Sequence, residues 1–179
     1  MKLEKHIIDT IKEWHLKIGY QKENIRLYYP LESVKSFLNI DAEEKSSAES
    51  LCDIVQSYLF EKISMMGSVK VSQQENRFCI EISKELNEYI AKHIEPSEFL
   101  QKFLKVLSSG HIEEVRKLFQ DYAEQKQGHY VEEPHEGEGG IAFSFQEERI
   151  DPYVYCVEKD DFGLTYHRFV KKEYEKLFS

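Results

Sequence analysis

The spacing of apolar residues changes period in blocks along this chain, and that is the tightest limit on its fold. Leu3, Ile7, Ile11, Trp14 and Ile18 recur every three or four positions, which lines one face of an α-helix. Val69 and Val71, then Phe78, Ile80 and Ile82, recur every second position, which lines one face of a strand. Blocks of one period followed by blocks of the other predict an α+β fold with antiparallel sheet rather than a series of βαβ units.

Local signals place the elements. Gly19 stops the first helix, Tyr28-Tyr29 is an extended step before proline, and Pro30 suits the first turn of a short helix carrying Leu31, Val34, Phe37 and Leu38. Residues 41–45 read as a charged linker, and Ser46-Ser47-Ala48-Glu49 has the spacing of a capping box. The helix behind it is expected to bury Leu51, Ile54, Val55, Tyr58, Leu59 and Ile63. Gln73-Gln74-Glu75-Asn76 turns a β-hairpin. Helical spacing returns from Ser83, and again from Pro96, which is expected to open another helix. Ser108-Ser109-Gly110 then breaks two antiparallel helices apart. Strands around 141–145, 153–157 and 164–169 and a helix over 171–178 close the chain. The expected organisation is a mainly helical module with a hairpin in winged-helix-like order over residues 1–83. A helical hairpin and a small antiparallel C-terminal sheet follow over 84–179, packed with the first part as one domain.

Charge and cysteine content narrow the function classes. The 24 basic and 33 acidic residues leave a net charge of −9, which disfavours nucleic acid and favours basic proteins or metal ions. Cys52, Cys79 and Cys156 are an odd set without a CxxC pair, as expected of free thiols in a reducing cytoplasm. No window approaches the ~20 apolar residues of a membrane helix, and the first residues lack a signal-peptide core, so no membrane role is expected.

Three helices and a hairpin would set the third helix in a DNA groove. Between residues 41 and 62, however, Asp41, Glu43, Glu44, Glu49, Asp53 and Glu61 face only Lys45 and Lys62, a balance of −4. The hairpin adds only Lys70 and Arg77 as bases, so an interaction or dimerising module is the better expectation.

Residues 129–140 concentrate metal-competent side chains. His129, Glu132, Glu133, His135 and Glu136 could ligate a divalent metal, the one cofactor the chain suggests. The helical HExxH arrangement is missing, and Gly137, Gly139 and Gly140 point to a mobile acidic loop. Such a loop, with Glu138, could also dock a basic partner, as could exposed Tyr28 and Tyr29. Cys156 and His167 meet across a C-terminal hairpin in some registers, as a nucleophile pair or as a packed thiol. No P-loop, GxGxxG or GxSxG occurs.

The run Ile8-Asp9-Thr10-Ile11-Lys12-Glu13, Gly19-Tyr20 and Ile25-Arg26-Leu27-Tyr28-Tyr29-Pro30-Leu31 resembles domain-of-unknown-function family 3877, a bacterial family. Asp151-Pro152-Tyr153-Val154-Tyr155-Cys156 and Tyr166-His167-Arg168-Phe169 resemble it too, so the likeness spans nearly the whole chain. It implies a bacterial, cytoplasmic protein and supplies no activity or catalytic residue. The leading expectation is therefore a non-enzymatic protein-interaction or regulatory domain that self-associates or binds a basic partner. The alternatives are a metal-binding module or metal-dependent enzyme built on residues 129–140, and a DNA binder, which the acidity disfavours.

Overall fold

The computed structural model describes residues 1–40, 48–135 and 139–178, among which lie seven helices and two antiparallel sheets. The α+β class expected from the period changes is the class found. The chain forms two compact units, Met1–Pro96 and Ser97–Ser179. The capping box and charged linker expected over residues 41–49 lie outside the described residues or their described side chains.

The first unit runs α1 (Leu3–Ile18), β1 (Ile25–Pro30), α2 (Leu31–Leu38), α3 (Ala48–Ile63), β2 (Val69–Gln74), β3 (Arg77–Ile82) and α4 (Lys84–His93). Its sheet is ordered β1-β3-β2, with Tyr28 and Ser72 both opposite Cys79. This is winged-helix order with a third strand, β1, in place of the extended step expected before Pro30. Alternate burial of Ile25, Leu27 and Tyr29 is short, and its partner β3 lies far along the chain.

The core gathers Ile7, Ile11, Val55, Leu59, Phe78 and Ile80, each fully buried. The helical stripes drift off that core at three expected core positions: Trp14, Ile18 and Ile54 are 42%, 64% and 45% exposed. Leu51, Val55, Leu59 and Ile63 carry the inward line of α3, and Ile54 sits on its flank. Gln56 closes the outer edge of β2. Its Nε2 donates to Val69 O at 2.8 Å and its Oε1 accepts from Val71 N at 2.8 Å, as a neighbouring strand would.

Helix α4 belongs to this unit because it packs on α1 through buried polar contacts. The Ser83 hydroxyl caps it, accepting from Leu86 N at 3.2 Å. Gly67 lets the chain pass close by: a Cβ there would lie 2.6 Å from Leu86 N. Lys12 is buried and its ammonium donates to Ile90 O at 3.2 Å. Asn87, 1% exposed, donates through Nδ2 to Gln21 O at 2.9 Å and Glu23 O at 3.0 Å. Its Oδ1 therefore accepts from His15 Nε2 at 2.7 Å, leaving His15 Nδ1 buried without a hydrogen bond.

The second unit runs α5 (Glu98–Leu107), α6 (Ile112–Gln125), β4 (Tyr130–Pro134), β5 (Ile141–Phe145), β6 (Tyr153–Asp160), β7 (Gly163–Val170) and α7 (Lys171–Phe178). Ser97, not Pro96, opens α5, its hydroxyl accepting from Leu100 N at 3.3 Å. The strands pair in chain order as a meander. Residues 130–134, expected within a mobile loop, form its edge strand, with Tyr130 opposite Phe145 and Pro134 opposite Ile141. Proline is tolerated there because an edge strand has one free side.

Both faces of this sheet are covered. On one, the Phe119 ring stacks on Phe143 at 5.0 Å and Phe145 at 5.1 Å, and Phe103 meets Tyr155 at 4.7 Å. Tyr155 is fully buried and its hydroxyl donates to Asp151 Oδ2 at 3.1 Å. On the other face Ala142, Val154 and Cys156 pack beneath Phe169 and Tyr174.

Two stability predictions follow from these contacts. Phe119→Ala removes the ring shared by α6 and β5 and is expected to cost about 3–5 kcal/mol in urea denaturation; a loss within ~1 kcal/mol would contradict the packing described. Burial is the largest cause lowering the His15 pKa; nearby Lys12 adds to it and the Asn87 bond opposes it. Such a group contributes stability above its unfolded value of about 6.5 and loses it as pH falls through the lower folded value. Between about pH 7.5 and pH 5 the wild type should lose more stability than His15→Gln. Parallel losses would remove His15 as the cause.

Candidate functional site

In a winged helix the third helix is the one that contacts a partner, and α3 holds that place in the chain order here. Among its described side chains, Asp53, Ile54, Ser57, Phe60, Glu61 and Lys62 are exposed. Phe60 is 66% exposed, and Met65, just past the helix, is 99% exposed. Lys62, the one base of α3, is held by Glu61 at 2.5 Å. The Tyr58 hydroxyl donates to Glu4 at 2.6 Å, and burial with this bond pushes its pKa up to about 12. Beside Phe60 runs a groove of about 300 Å³ whose apolar walls include Leu59, Ile63 and Val69. Asp41, Glu43, Glu44 and Lys45 lie outside the described residues.

The residues singled out between 129 and 140 are dispersed by β4. His129 stands before it and His135 after it, so six steps of extended chain separate them by ~20 Å. One ion cannot touch both imidazoles. Strand alternation also sends Glu132 and Glu133 to opposite faces. The Glu132 carboxylate grips Arg116 at 2.8 and 2.6 Å, and Arg116 holds Glu113 at 2.6 Å, which raises the guanidinium pKa. His129 Nδ1 lies 3.1 Å from Glu147, and its backbone N–H donates to the same carboxylate at 2.9 Å, holding the Glu147 pKa down. The His135 ring lies against Phe178 at 4.7 Å and Tyr174 at 5.8 Å. Glu136 and Glu138 lie outside the described residues. Among the described residues no three His, Cys, Asp or Glu side chains gather as a metal site.

The two tyrosines expected at a surface part company for the same reason. Tyr28 is 48% exposed, whereas Tyr29 is buried in the core with its ring 5.5 Å from His6. Strand β1 turns neighbours to opposite sides.

Strand register does set Cys156 opposite His167. The thiol is fully buried, and burial, aided by Glu158, pushes its pKa up to about 12. His167 is exposed. The arrangement is that of a packed thiol, because the nucleophilic form is the thiolate. On the same sheet face, between the strands and α7, opens a groove of about 390 Å³. Glu133 lines it, and His135 packs on two of its wall rings, Tyr174 and Phe178. Sequence reasoning found those two residues but not the groove, whose other wall comes from α7.

The chain belongs to the family described as "Domain of unknown function, E. rectale Gene description (DUF3877)", which matches residues 1–178. No curated protein and no solved structure gives a significant match. No helix among the described residues is long and apolar enough to cross a membrane.

The burial of Cys156 has a direct chemical readout. Iodoacetamide at about pH 8 should label this thiol orders of magnitude more slowly than a free cysteine, and label it readily once urea unfolds the chain. Fast labelling of Cys156 in the folded protein would show a reactive thiolate and revive the nucleophile reading.

Proposed function

We propose that this member of a family of unknown function is a non-enzymatic protein-interaction module, and that the outer face of α3 engages a basic partner protein. One observation carries the reading. At the position where a winged-helix DNA reader needs uncompensated lysine or arginine, α3 presents Ile54 and Phe60, and its single lysine is paired with Glu61. Exposed aromatic groups beside a groove are the usual anchors of protein contacts, since burying them removes much apolar surface from water at little entropic cost.

Charge selects the partner. A chain of net charge −9 attracts a basic surface, while a second copy would bring the same charge against it. The non-enzymatic part of the reading is supported by how the fold engages its titratable groups, as with Arg116, Glu113 and Glu132, which hold one another. Free buried thiols at Cys79 and Cys156 suit the reducing cytoplasm of a bacterium, where the proposal places the protein.

The test compares the wild type with an Ile54→Ser, Phe60→Ser double variant. Both residues are exposed, so the variant should keep the wild-type circular dichroism. A partner recovered by the wild type is purified and titrated against both proteins. Binding about tenfold weaker in the variant, and falling with salt, is expected. Equal binding by the two proteins, or displacement of the partner by duplex DNA at physiological salt, would overturn the proposal. A dimer in sedimentation that the double variant abolishes would overturn the basic partner in favour of a second copy.

A further inference from the structure

We propose that the groove between α7 and the second sheet is a binding site for a small organic cation: an apolar body bearing a protonated amino group. It stands apart from the α3 reading and shares no residue with it.

The floor of the groove is Val131, Ala142 and Val154, three apolar side chains from adjacent strands. Tyr174 and Phe178 of α7 form an aromatic wall, their ring centroids 4.9 Å apart and tilted by 39°. An opening of about 390 Å³ lies within the range of sites that hold small molecules. Apolar floor and rings call for an apolar body.

Ser144 is the observation that asks for a ligand. It lines the groove and is only 8% exposed, yet its hydroxyl makes no hydrogen bond among the described residues. The hydroxyl opens on the groove rather than being sealed in the core, so an apolar body that displaces its water must bring a replacement bond. A polar group at the inner end of a ligand would supply that bond.

Charge at the rim fixes the sign of the ligand. Glu133 comes from β4 and Glu175 from α7, and neither carboxylate makes an ion pair or hydrogen bond among the described residues. The single cation lining the groove is Lys171, whose ammonium donates to Phe145 O at 2.9 Å and Gln146 O at 3.3 Å. Two carboxylates against one engaged ammonium leave the opening net negative. An ammonium bridging Glu133 and Glu175 would also lie within reach of an aromatic face, which attracts cations through the ring quadrupole. A bare metal ion fits poorly, because the inner part of the groove offers it one neutral hydroxyl, Ser144, among apolar side chains.

Phenethylamine is a suitable probe, since it joins a ring to a primary ammonium, and 3-phenylpropanoate is its control with the opposite charge. Each is titrated into the isotopically labelled full chain at low ionic strength and followed by NMR. Phenethylamine should saturate, with shifts concentrated at Val131, Ser144, Val154, Tyr174 and Phe178, and the propanoate should bind about tenfold more weakly. A Glu133→Gln, Glu175→Gln double variant, both positions being exposed, should keep its fold and weaken phenethylamine binding about fivefold or more. Ser144→Ala should leave phenethylamine binding unchanged, since that probe has no polar group at its inner end, and should weaken binding of tyramine, whose phenol hydroxyl can bond Ser144. The proposal is overturned by failure to saturate at about 10 mM, by equal binding of the two probes, or by a double variant that binds as the wild type does.

Discussion

Residues 153–157 of β6 are buried without interruption, and a strand can achieve that only if a layer lies above it and another below. The rest of the second unit is arranged around this demand. Alternation along the strand sends Tyr155 to the aromatic side, where α5 and α6 meet it with Phe103 and Phe119. Ring pairs of this kind add roughly 0.5–1.5 kcal/mol each beyond the area they bury. The same alternation sends Val154 and Cys156 to the far side, where the one available cover is α7. An eight-residue helix is marginal by itself, and none of its residues is fully buried, so it covers that face only in part. The groove is what incomplete cover leaves behind.

The first unit follows another logic. Its helices and three-stranded sheet give one apolar core, and polar bonds between distant parts of the chain tie its elements together: Asn87 joins the loop after α1 to α4, and Glu4 takes the Tyr58 hydroxyl. Part of what the core does not absorb sits on α3, as Ile54 and Phe60, and part on α1, as Trp14 and Ile18. Along the helices many bases are paired with acids, as Lys5 with Asp9, Lys92 with Glu88 and Lys117 with Asp121, so the excess of carboxylates is what the surface shows.

How much of this could be read in advance divides by distance along the chain. Helical spacing, the hairpin around residue 75 and the closing helix over 171–178 were legible because each signal is complete within a dozen residues. Strands β1 and β4 were not, since what makes each a strand is a partner elsewhere. Glycines at 137, 139 and 140 pointed to a loop and hid the pairing of Tyr130 with Phe145 just before them. Ile54 as a core residue and Tyr29 as a surface one failed for one reason, that a helical stripe or a dipeptide does not say which flank the core will take. Of the groove, Glu133 and His135 stood out as residue types. Ser144, Tyr174 and Glu175 carry no local signal, and their convergence is a property of the meander.

One side chain bears on how the first unit can be recognised at all. Because Gln56 occupies the outer edge of β2, the backbone groups of Val69 and Val71 are not on offer to an incoming strand. Any partner that comes to this flank must read side chains rather than main chain. Recognition written in side chains can be retuned one codon at a time, whereas an open backbone edge accepts almost any extended peptide, including another misfolded copy. The glutamine thus trades promiscuity for a surface that selection can edit.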